Sequence, residues 1–215
     1  MLVHGAIIPP RPVLDALAEV VRSVPDPVAD ATVAPQKGLL GRLGRRRDES
    51  EGAPVTAPPP MLEHVGPDSM QLPITGFGNL TTNDARRLVD TLREAAAGWS
   101  APHVRFAGGA ALDYPGDWSV WAKLDGDVDA LSAMARAVTQ SVERLGYFVD
   151  RRQFRPMLSV ATVTPATTGP FLESVVGALD TFRGDEWTAE ISLTKEAFVE
   201  GGSRMVEFER IPATG

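Results

Sequence analysis

Two short stretches decide the fold of this 215-residue chain: residues 71–80, QLPITGFGNL, and residues 154–160, FRPMLSV. Each contains two apolar residues followed by a hydroxyl side chain. In the first stretch the pattern Pro-Ile-Thr ends at Thr75, and in the second the pattern Met-Leu-Ser ends at Ser159. The two hydroxyl residues are 84 positions apart, and the repetition indicates two similar halves within one chain.

Strands and helices alternate outward from these stretches. Apolar runs and alternating patterns predict strands at residues 2–8, 71–79, 104–112, 118–124, 158–164, 187–193 and 205–211. Helical spacing predicts helices from residue 11, from a cap at Thr81 or Thr82, at about residues 127–145 and at residues 171–182. Because several neighbouring strands are close enough in sequence to pair antiparallel, the predicted class is α+β.

Composition narrows the chemistry that the chain can perform. The absence of cysteine excludes disulfide scaffolds, thiolate metal sites and thiol nucleophiles. Only three histidines remain, His4, His64 and His103. The apolar run at the start of the chain has no basic region and is interrupted by two prolines, unlike a signal peptide. No window is apolar over the roughly 18 residues that a transmembrane helix requires. We therefore expect a cytoplasmic protein.

Basic residues are concentrated in one proline-rich segment. Residues 25–61 show no sustained periodicity and contain seven prolines, which predicts a disordered or mobile insertion. Five of the 21 basic residues lie in it, interleaved with leucines: Lys37, Arg42, Arg45, Arg46 and Arg47. Two interpretations remain open. Residues 37–47 form either an amphipathic segment that binds RNA, anionic lipid or an acidic partner, or a solvated loop whose charge is offset by the acidic residues that follow.

In chain order, these segments resemble the 2H phosphoesterase superfamily, in particular its bacterial family of 2′-5′ RNA ligase-like RNA 2′,3′-cyclic phosphodiesterases. Residues 2–17 resemble the opening strand, the Pro-Pro turn and the first helix of that family, and residues 106–146 resemble its central region. Residues 72–80 and 154–160 are similar to its two motif strands, and residues 191–208 to its closing hairpin. Only the proline-rich segment has no counterpart.

The resemblance implies one two-lobed domain over residues 1–215, with residues 25–61 as an insertion. Two small, mainly antiparallel sheets would face each other across a cleft, with helices outside and the two motif strands side by side on the cleft floor. In the family each motif strand carries a histidine and, two residues later, a hydroxyl side chain. One imidazole acts as general base and the other as general acid, while the hydroxyls hold the phosphate oxygens. No cofactor is implied.

The chain departs from this pattern at both histidine positions. Pro73 occupies the first position and Met157 the second, and neither side chain can transfer a proton. The hydroxyl residues Thr75 and Ser159 are retained, and we predict that they bind phosphate or another ligand.

Arg152 and Phe154 are further candidate ligand-binding residues, because they lie just before the second motif strand with other arginines beside them. A guanidinium group can hold a phosphate, and an aromatic ring can stack on a base. The alternative is a packed phenylalanine next to surface arginines.

Three acidic residues, Asp125, Asp127 and Asp129, resemble the start of a calcium-binding loop. The position where such a loop has its bidentate glutamate is Arg136, however, and the intervening Asn, Asp or Gly residues are also missing. We therefore predict no metal site and interpret these residues as the acidic N-terminus of a helix, which the helix dipole favours.

Three hypotheses about function follow. The first is a degenerate 2H phosphoesterase-like protein that has lost catalysis and binds a nucleotide, an RNA end or a protein partner. The alternative is an active 2′,3′-cyclic phosphodiesterase or 2′-5′ RNA ligase with a relocated histidine, His4, His64 or His103. Neither His64 nor His103 has the motif spacing, and for His4 a satisfied core or edge histidine in the opening strand is the simpler interpretation. The third hypothesis assigns the function to the basic segment and leaves the fold as a scaffold.

Overall fold

The computed structural model describes residues 1–26, 59–111, 118–150, 153–199 and 202–213. Strands and helices follow one another in this order: β1 (Leu2–Ile7), α1 (Arg11–Arg22), β2 (Leu62–His64), β3 (Leu72–Asn79), α2 (Thr82–Ala96), β4 (His103–Ala111), β5 (Ser119–Gly126), α3 (Val128–Val142), β6 (Met157–Val163), α4 (Gly169–Thr181), β7 (Trp187–Thr188), β8 (Ile191–Val199) and β9 (Gly202–Ile211). Short 3₁₀ turns lie at Pro67–Ser69 and Glu143–Leu145. Most of the predicted insertion lies outside the described residues, so its mobility stays a prediction.

The nine strands of the described residues form two antiparallel sheets in two lobes, which confirms the α+β class and the two-lobed architecture. The strand order is β3-β1-β8-β9 in the first sheet and β2-β6-β5-β4-β7 in the second. The first sheet joins the start of the chain to its end, because β1 pairs with β3 on one side and with β8 on the other.

Each helix buries an apolar stripe. The residues on the buried faces are Val13, Leu14, Leu17, Ala18 and Val21 in α1; Ala85, Leu88, Val89, Leu92 and Ala96 in α2; Leu131, Met134, Ala135, Val138 and Val142 in α3; and Phe171, Val175 and Leu179 in α4. Helix α1 packs against α4 and α2 packs against α3, and the buried side chains of both lobes form one hydrophobic cluster. None of the helices described is long and apolar enough to cross a membrane.

Local signals at two helix starts agree with the structure. Thr81 is the N-cap of α2, and its Oγ1 accepts a hydrogen bond from the backbone N–H of Asp84 (3.2 Å). Asp127 is the N-cap of α3 and Asp129 lies in its first turn, while Asp125 pairs with Arg105. Asp127 and Asp129 therefore mark a helix start, as predicted, whereas Asp125 lies near the end of β5 and not in the helix.

The two motif strands belong to different sheets. Strand β3 is an edge strand of the first sheet, paired with β1, whereas β6 lies inside the second sheet between β2 and β5. The prediction that they lie side by side was therefore wrong, because each strand pairs only with strands of its own sheet. They meet only across the cleft, where residues from both line one cavity.

The predicted strand at residues 187–193 is in fact two strands in different lobes. Trp187 belongs to β7, which pairs with β4, and its ring lies 6.3 Å from that of Phe106, centroid to centroid. Leu193 belongs to β8, which pairs with β1 in the other sheet. The chain changes sheets at Ala189, whose N–H donates to the carbonyl of Pro102 (2.8 Å). The alternation of apolar and polar residues, WTAEISL, continues unbroken across the change of sheet, so the pattern cannot reveal it.

Candidate functional site

A cavity of ≈ 420 Å³ lies between the two sheets and is lined by residues of both motif strands. Strands β1 and β3 supply lining residues from the first sheet, and β5 and β6 supply them from the second. Asp150, Gln153 and Arg155, in the segment that leads into β6, complete the lining. Because the cavity is concave and bounded by both lobes, it is the candidate functional site.

Pro73 and Met157 both line this cavity. A proline is tolerated in β3 because an edge strand can accommodate a residue without an N–H group. Met157 begins β6 and lies opposite Lys123 of β5. The fold thus brings the two motif positions to one cavity, and neither position carries a group that can transfer a proton.

Thr75 also lines the cavity, but its hydroxyl is engaged with the chain itself. Its Oγ1 donates a hydrogen bond to the backbone carbonyl of Asp150 (2.8 Å), and the residue is only 5% exposed. The N–H of Asp150 in turn donates to the carbonyl of Gly76 (3.0 Å). A hydroxyl has one proton, so Thr75 can donate to a phosphate oxygen only if it releases Asp150.

The other predicted ligand-binding residues are not gathered around this cavity. Ser159 is half-buried opposite Trp121 in β5 and is not among the lining residues. Phe154 is half-buried and packs against the hydrophobic core, as the alternative interpretation had it. Arg152 lies outside the described residues. So do the basic residues of the insertion, Lys37, Arg42, Arg45, Arg46 and Arg47.

His4 is the only one of the three histidines that lines the cavity. It lies opposite Gly76 of β3, and a Cβ atom on Gly76 would be 3.4 Å from Nδ1 of the imidazole. The glycine therefore leaves room for the ring. His64 is on the edge strand β2, and His103 begins β4 with Nδ1 3.8 Å from a carboxylate oxygen of Glu186.

The sequence left two interpretations of His4 open, and the structure places it in the cleft. Val3 is fully buried and Gly5 is also buried, and side chains alternate between the two faces of a strand. If those two residues face the helices, His4 must face the cleft. The sequence alone could not show which face of β1 is the cleft face, because that depends on its pairing with β3 and β8.

Hydrogen-bonding and aromatic side chains from both lobes surround the two motif positions. Arg155 and Gln153 border the cavity before β6, Gln71 lies just before β3, and Trp121 is on β5. A guanidinium group holds phosphate oxygens through several N–H donors, and an aromatic ring can stack on a base. Trp121 has no local signal as a site residue, because its position depends on the register of β5 with β6.

A larger cavity of ≈ 640 Å³ lies on the β8–β9 side of the first sheet, and Gln71 lines both cavities. Its charged lining residues are three arginines and three carboxylates: Arg11, Arg204, Arg210, Asp68, Glu190 and Glu207. The carboxylate of Glu207 accepts hydrogen bonds from Ser192 (2.6 Å) and Arg210 (3.0 Å). The charges of this lining balance, as do those of Arg155 and Asp150 in the smaller cavity. In the part of the chain that the structure describes, no group of three or more His, Asp or Glu side chains is arranged to hold a metal ion.

No protein-family model matches the chain, and no curated protein matches it either. Solved structures do match its fold. The protein TT0787 of Thermus thermophilus aligns with a TM-score of 0.60 and 17% identity, covering 100% of this chain and 99% of that chain. Escherichia coli LigT in complex with 3′-AMP aligns with a TM-score of 0.59 and 14% identity over 100% and 98% of the two chains. A protein described as a phosphoesterase has a TM-score of 0.57 and 15% identity over 100% and 98%. The chain therefore has the two-lobed fold of LigT and related phosphoesterases.

Proposed function

We propose that the chain binds a phosphate-bearing ligand, a nucleotide or an RNA end, in the cavity between the two sheets and does not hydrolyse it. The observation that carries this proposal is the position of Pro73 and Met157. Both line the cavity, at the two points where the resemblance places the histidines of the active family. The cavity between the sheets is present, but the two motif positions in it carry no acid–base pair.

The lining of the cavity supports binding of a phosphate. Arg155 supplies a permanent positive charge with several N–H donors, and Gln71 and Gln153 supply neutral hydrogen-bonding groups. Trp121 supplies an aromatic surface for a base. The solved structures of E. coli LigT, which share this fold, include complexes with 3′-AMP, phosphate and ATP.

The absence of hydrolysis follows from the number of imidazoles. Opening a cyclic phosphate requires a base that accepts a proton from the attacking water and an acid that protonates the departing oxygen. Each group contributes about 10²- to 10⁴-fold to the rate. All three histidines are among the described residues, and His4 is the only one in the cavity. One imidazole cannot accept a proton and donate another in the same step.

The test combines binding and turnover on the purified full chain. We expect 3′-AMP and inorganic phosphate to bind in calorimetric titrations, and 2′,3′-cyclic AMP to remain intact when followed by ³¹P NMR. Arg155→Met, which keeps much of the side-chain length, should weaken binding of 3′-AMP about tenfold or more, because a charge-assisted hydrogen bond is lost. Arg136→Met removes an exposed arginine of α3 that does not line the cavity and should leave the affinity unchanged.

Two results would contradict this proposal. Failure of both 3′-AMP and inorganic phosphate to bind would refute the binding role. Hydrolysis of the cyclic nucleotide at a rate abolished by combining Thr75→Val with Ser159→Ala would refute the absence of catalysis.

The position of His4 supports a second candidate function, an active cyclic phosphodiesterase with a relocated histidine. In that case the same ³¹P assay would show hydrolysis that His4→Gln abolishes. His64→Gln would leave it intact, because His64 does not line the cavity. We favour the binding role, since a second acid–base group at the motif positions is missing.

A further inference from the structure

A buried hydroxyl that makes no hydrogen bond lies in the same sheet as His4. Thr194 of β8 is 1% exposed, and its Oγ1 has no hydrogen-bond partner among the described residues. A buried polar group without a partner destabilises the folded state, and valine has nearly the same shape without that penalty. A threonine at this position therefore requires an explanation other than stability.

Thr194 is the direct cross-strand neighbour of His4. Strand β8 pairs with β1 so that Thr194 lies opposite His4, and with β9 so that Thr194 lies opposite Glu207. Residues directly opposite each other in antiparallel strands project from the same face, with Cβ atoms about 4.5–5.5 Å apart. His4 lines the smaller cavity and Glu207 the larger one, so these three residues form a row on the cleft face of the sheet.

The carboxylate of Glu207 is already bonded to other residues. One of its oxygens accepts a hydrogen bond from Ser192 (2.6 Å), and the other accepts one from Arg210 (3.0 Å). The remaining polar neighbour of Thr194 in the row is His4.

A rotation about one bond turns Nδ1 of His4 towards the strand that carries Thr194. In this structure the ring edge that carries Nδ1 faces Gly76, on the side of β1 away from β8. A half-turn about the Cβ–Cγ bond exchanges the two ring edges and turns Nδ1 towards β8. Rotations about this bond are broad and roughly two-fold, so both orientations are accessible.

We propose that Thr194 is a positioning residue for His4. In the ligand-bound protein its hydroxyl accepts a hydrogen bond from Nδ1–H of His4, and Nε2–H of the same imidazolium ring donates to a phosphate oxygen of the ligand. A protonated imidazole has two N–H donors, so one ring can make both bonds. The inference rests on the proposed function, because it requires a phosphate-bearing ligand in the cavity.

Thr194→Val tests this role, because it removes the hydroxyl and keeps the shape of the side chain. We expect the affinity for 3′-AMP to fall about three- to tenfold, which is the effect of one hydrogen bond. The thermal midpoint should not fall, since the folded protein loses no hydrogen bond. Thr194→Ser keeps the hydroxyl and should restore the affinity. A merely structural role would give the opposite result, a lower thermal midpoint with unchanged affinity.

Ser192→Ala is the matched control for stability. Ser192 lies two residues before Thr194 on the same face of β8 and is also 1% exposed, but its hydroxyl is bonded to Glu207. This variant should lower the thermal midpoint, in contrast to Thr194→Val.

A spectroscopic readout reports the bond itself. With ¹⁵N-labelled histidine there are only three imidazoles to assign, by comparison with the His64→Gln and His103→Gln variants. A hydrogen-bonded Nδ1–H signal from His4 should be present in the 3′-AMP complexes of the parent and Thr194→Ser, and absent from that of Thr194→Val.

The outcomes separate the two proposals. If the parent binds 3′-AMP and Thr194→Val binds it equally well with an unchanged His4 signal, the positioning role is refuted and the proposed function stands. If the parent binds neither 3′-AMP nor inorganic phosphate, the proposed function fails and the positioning role fails with it.

Discussion

At the scale of single residues, the three histidines lie in different environments. His4 lines the cavity between the lobes, whereas His64 and His103 lie on strands β2 and β4 away from it. The sequence predicted that Pro73 and Met157 cannot transfer protons, because that property belongs to the side chains alone. It could not predict that the hydroxyl of Thr75 is bonded to Asp150, because that bond joins residues 75 positions apart.

His64 makes stability depend on pH. Partial burial lowers the pKa of His64 below its ordinary value of 6.5, and the positive charge of Arg22 lowers it further, against an opposing effect of Asp26. Around this pH the unfolded chain therefore binds more protons than the folded protein, so the free energy of unfolding falls as pH falls. This contribution is fully present above about pH 6.5 and is lost as the pH drops through the lower pKa of the folded state.

We expect the urea midpoint of the parent to decrease between about pH 7.5 and pH 5, with part of that decrease due to His64. His64→Gln should reduce the decrease, because glutamine does not titrate. An unchanged pH dependence in His64→Gln would contradict this prediction.

At the scale of secondary-structure elements, boundaries with a local signal could be predicted, and boundaries set by pairing could not. The apolar stripes of the helices follow from their spacing, and the start of α2 follows from its capping residues. The three-residue strand β2 was not predicted, because it has too few residues to show a period and exists only by pairing with β6. The division of residues 187–193 between two sheets was also missed, because it is set by the pairing of β7 with β4 and of β8 with β1.

Thr81 and Thr82 were equal candidates for the cap of α2, and the structure assigns the cap to Thr81. We expect Thr81→Ala to lower the free energy of unfolding by about 1 kcal/mol, because the N–H of Asp84 loses its hydrogen-bond acceptor. Thr82→Ala changes the first residue of the helix, which is exposed, and should have little effect. Denaturation of both variants by urea measures the difference, and equal losses would show that Thr81 is not the cap.

At the scale of the whole molecule, the candidate site exists only because the two lobes face each other. Its lining combines β1 and β3 of one sheet with β5 and β6 of the other. The lobes are joined by two helix pairs, α1 with α4 and α2 with α3, and by one hydrophobic cluster that includes residues of both. The hydroxyl of Tyr147 adds a hydrogen bond to the carbonyl of Asp84 (3.2 Å). We infer that each lobe stabilises the folded state of the other.

The shared core predicts a single cooperative unfolding transition. Three of the four tryptophans lie in or beside the second sheet: Trp118, Trp121 and Trp187. Tryptophan fluorescence therefore reports mainly on the second lobe, whereas far-UV circular dichroism reports on the strands and helices of both. We expect the two probes to give the same urea midpoint. A fluorescence transition clearly separated from the circular dichroism transition would show that the lobes unfold independently.

The sequence by itself determined the α+β class, the order of most elements, the buried stripes of the helices and the absence of proton-transferring side chains at residues 73 and 157. These properties depend on residue identity and on spacing within about a dozen positions. Tertiary structure decided which sheet each strand joins, that His4 faces the cleft, that Ser159 lies outside the cavity, and that Thr194 lies opposite His4. Pairing between strands far apart in the chain sets these features, and a shift of one residue in register would turn every side chain of a strand to the other face.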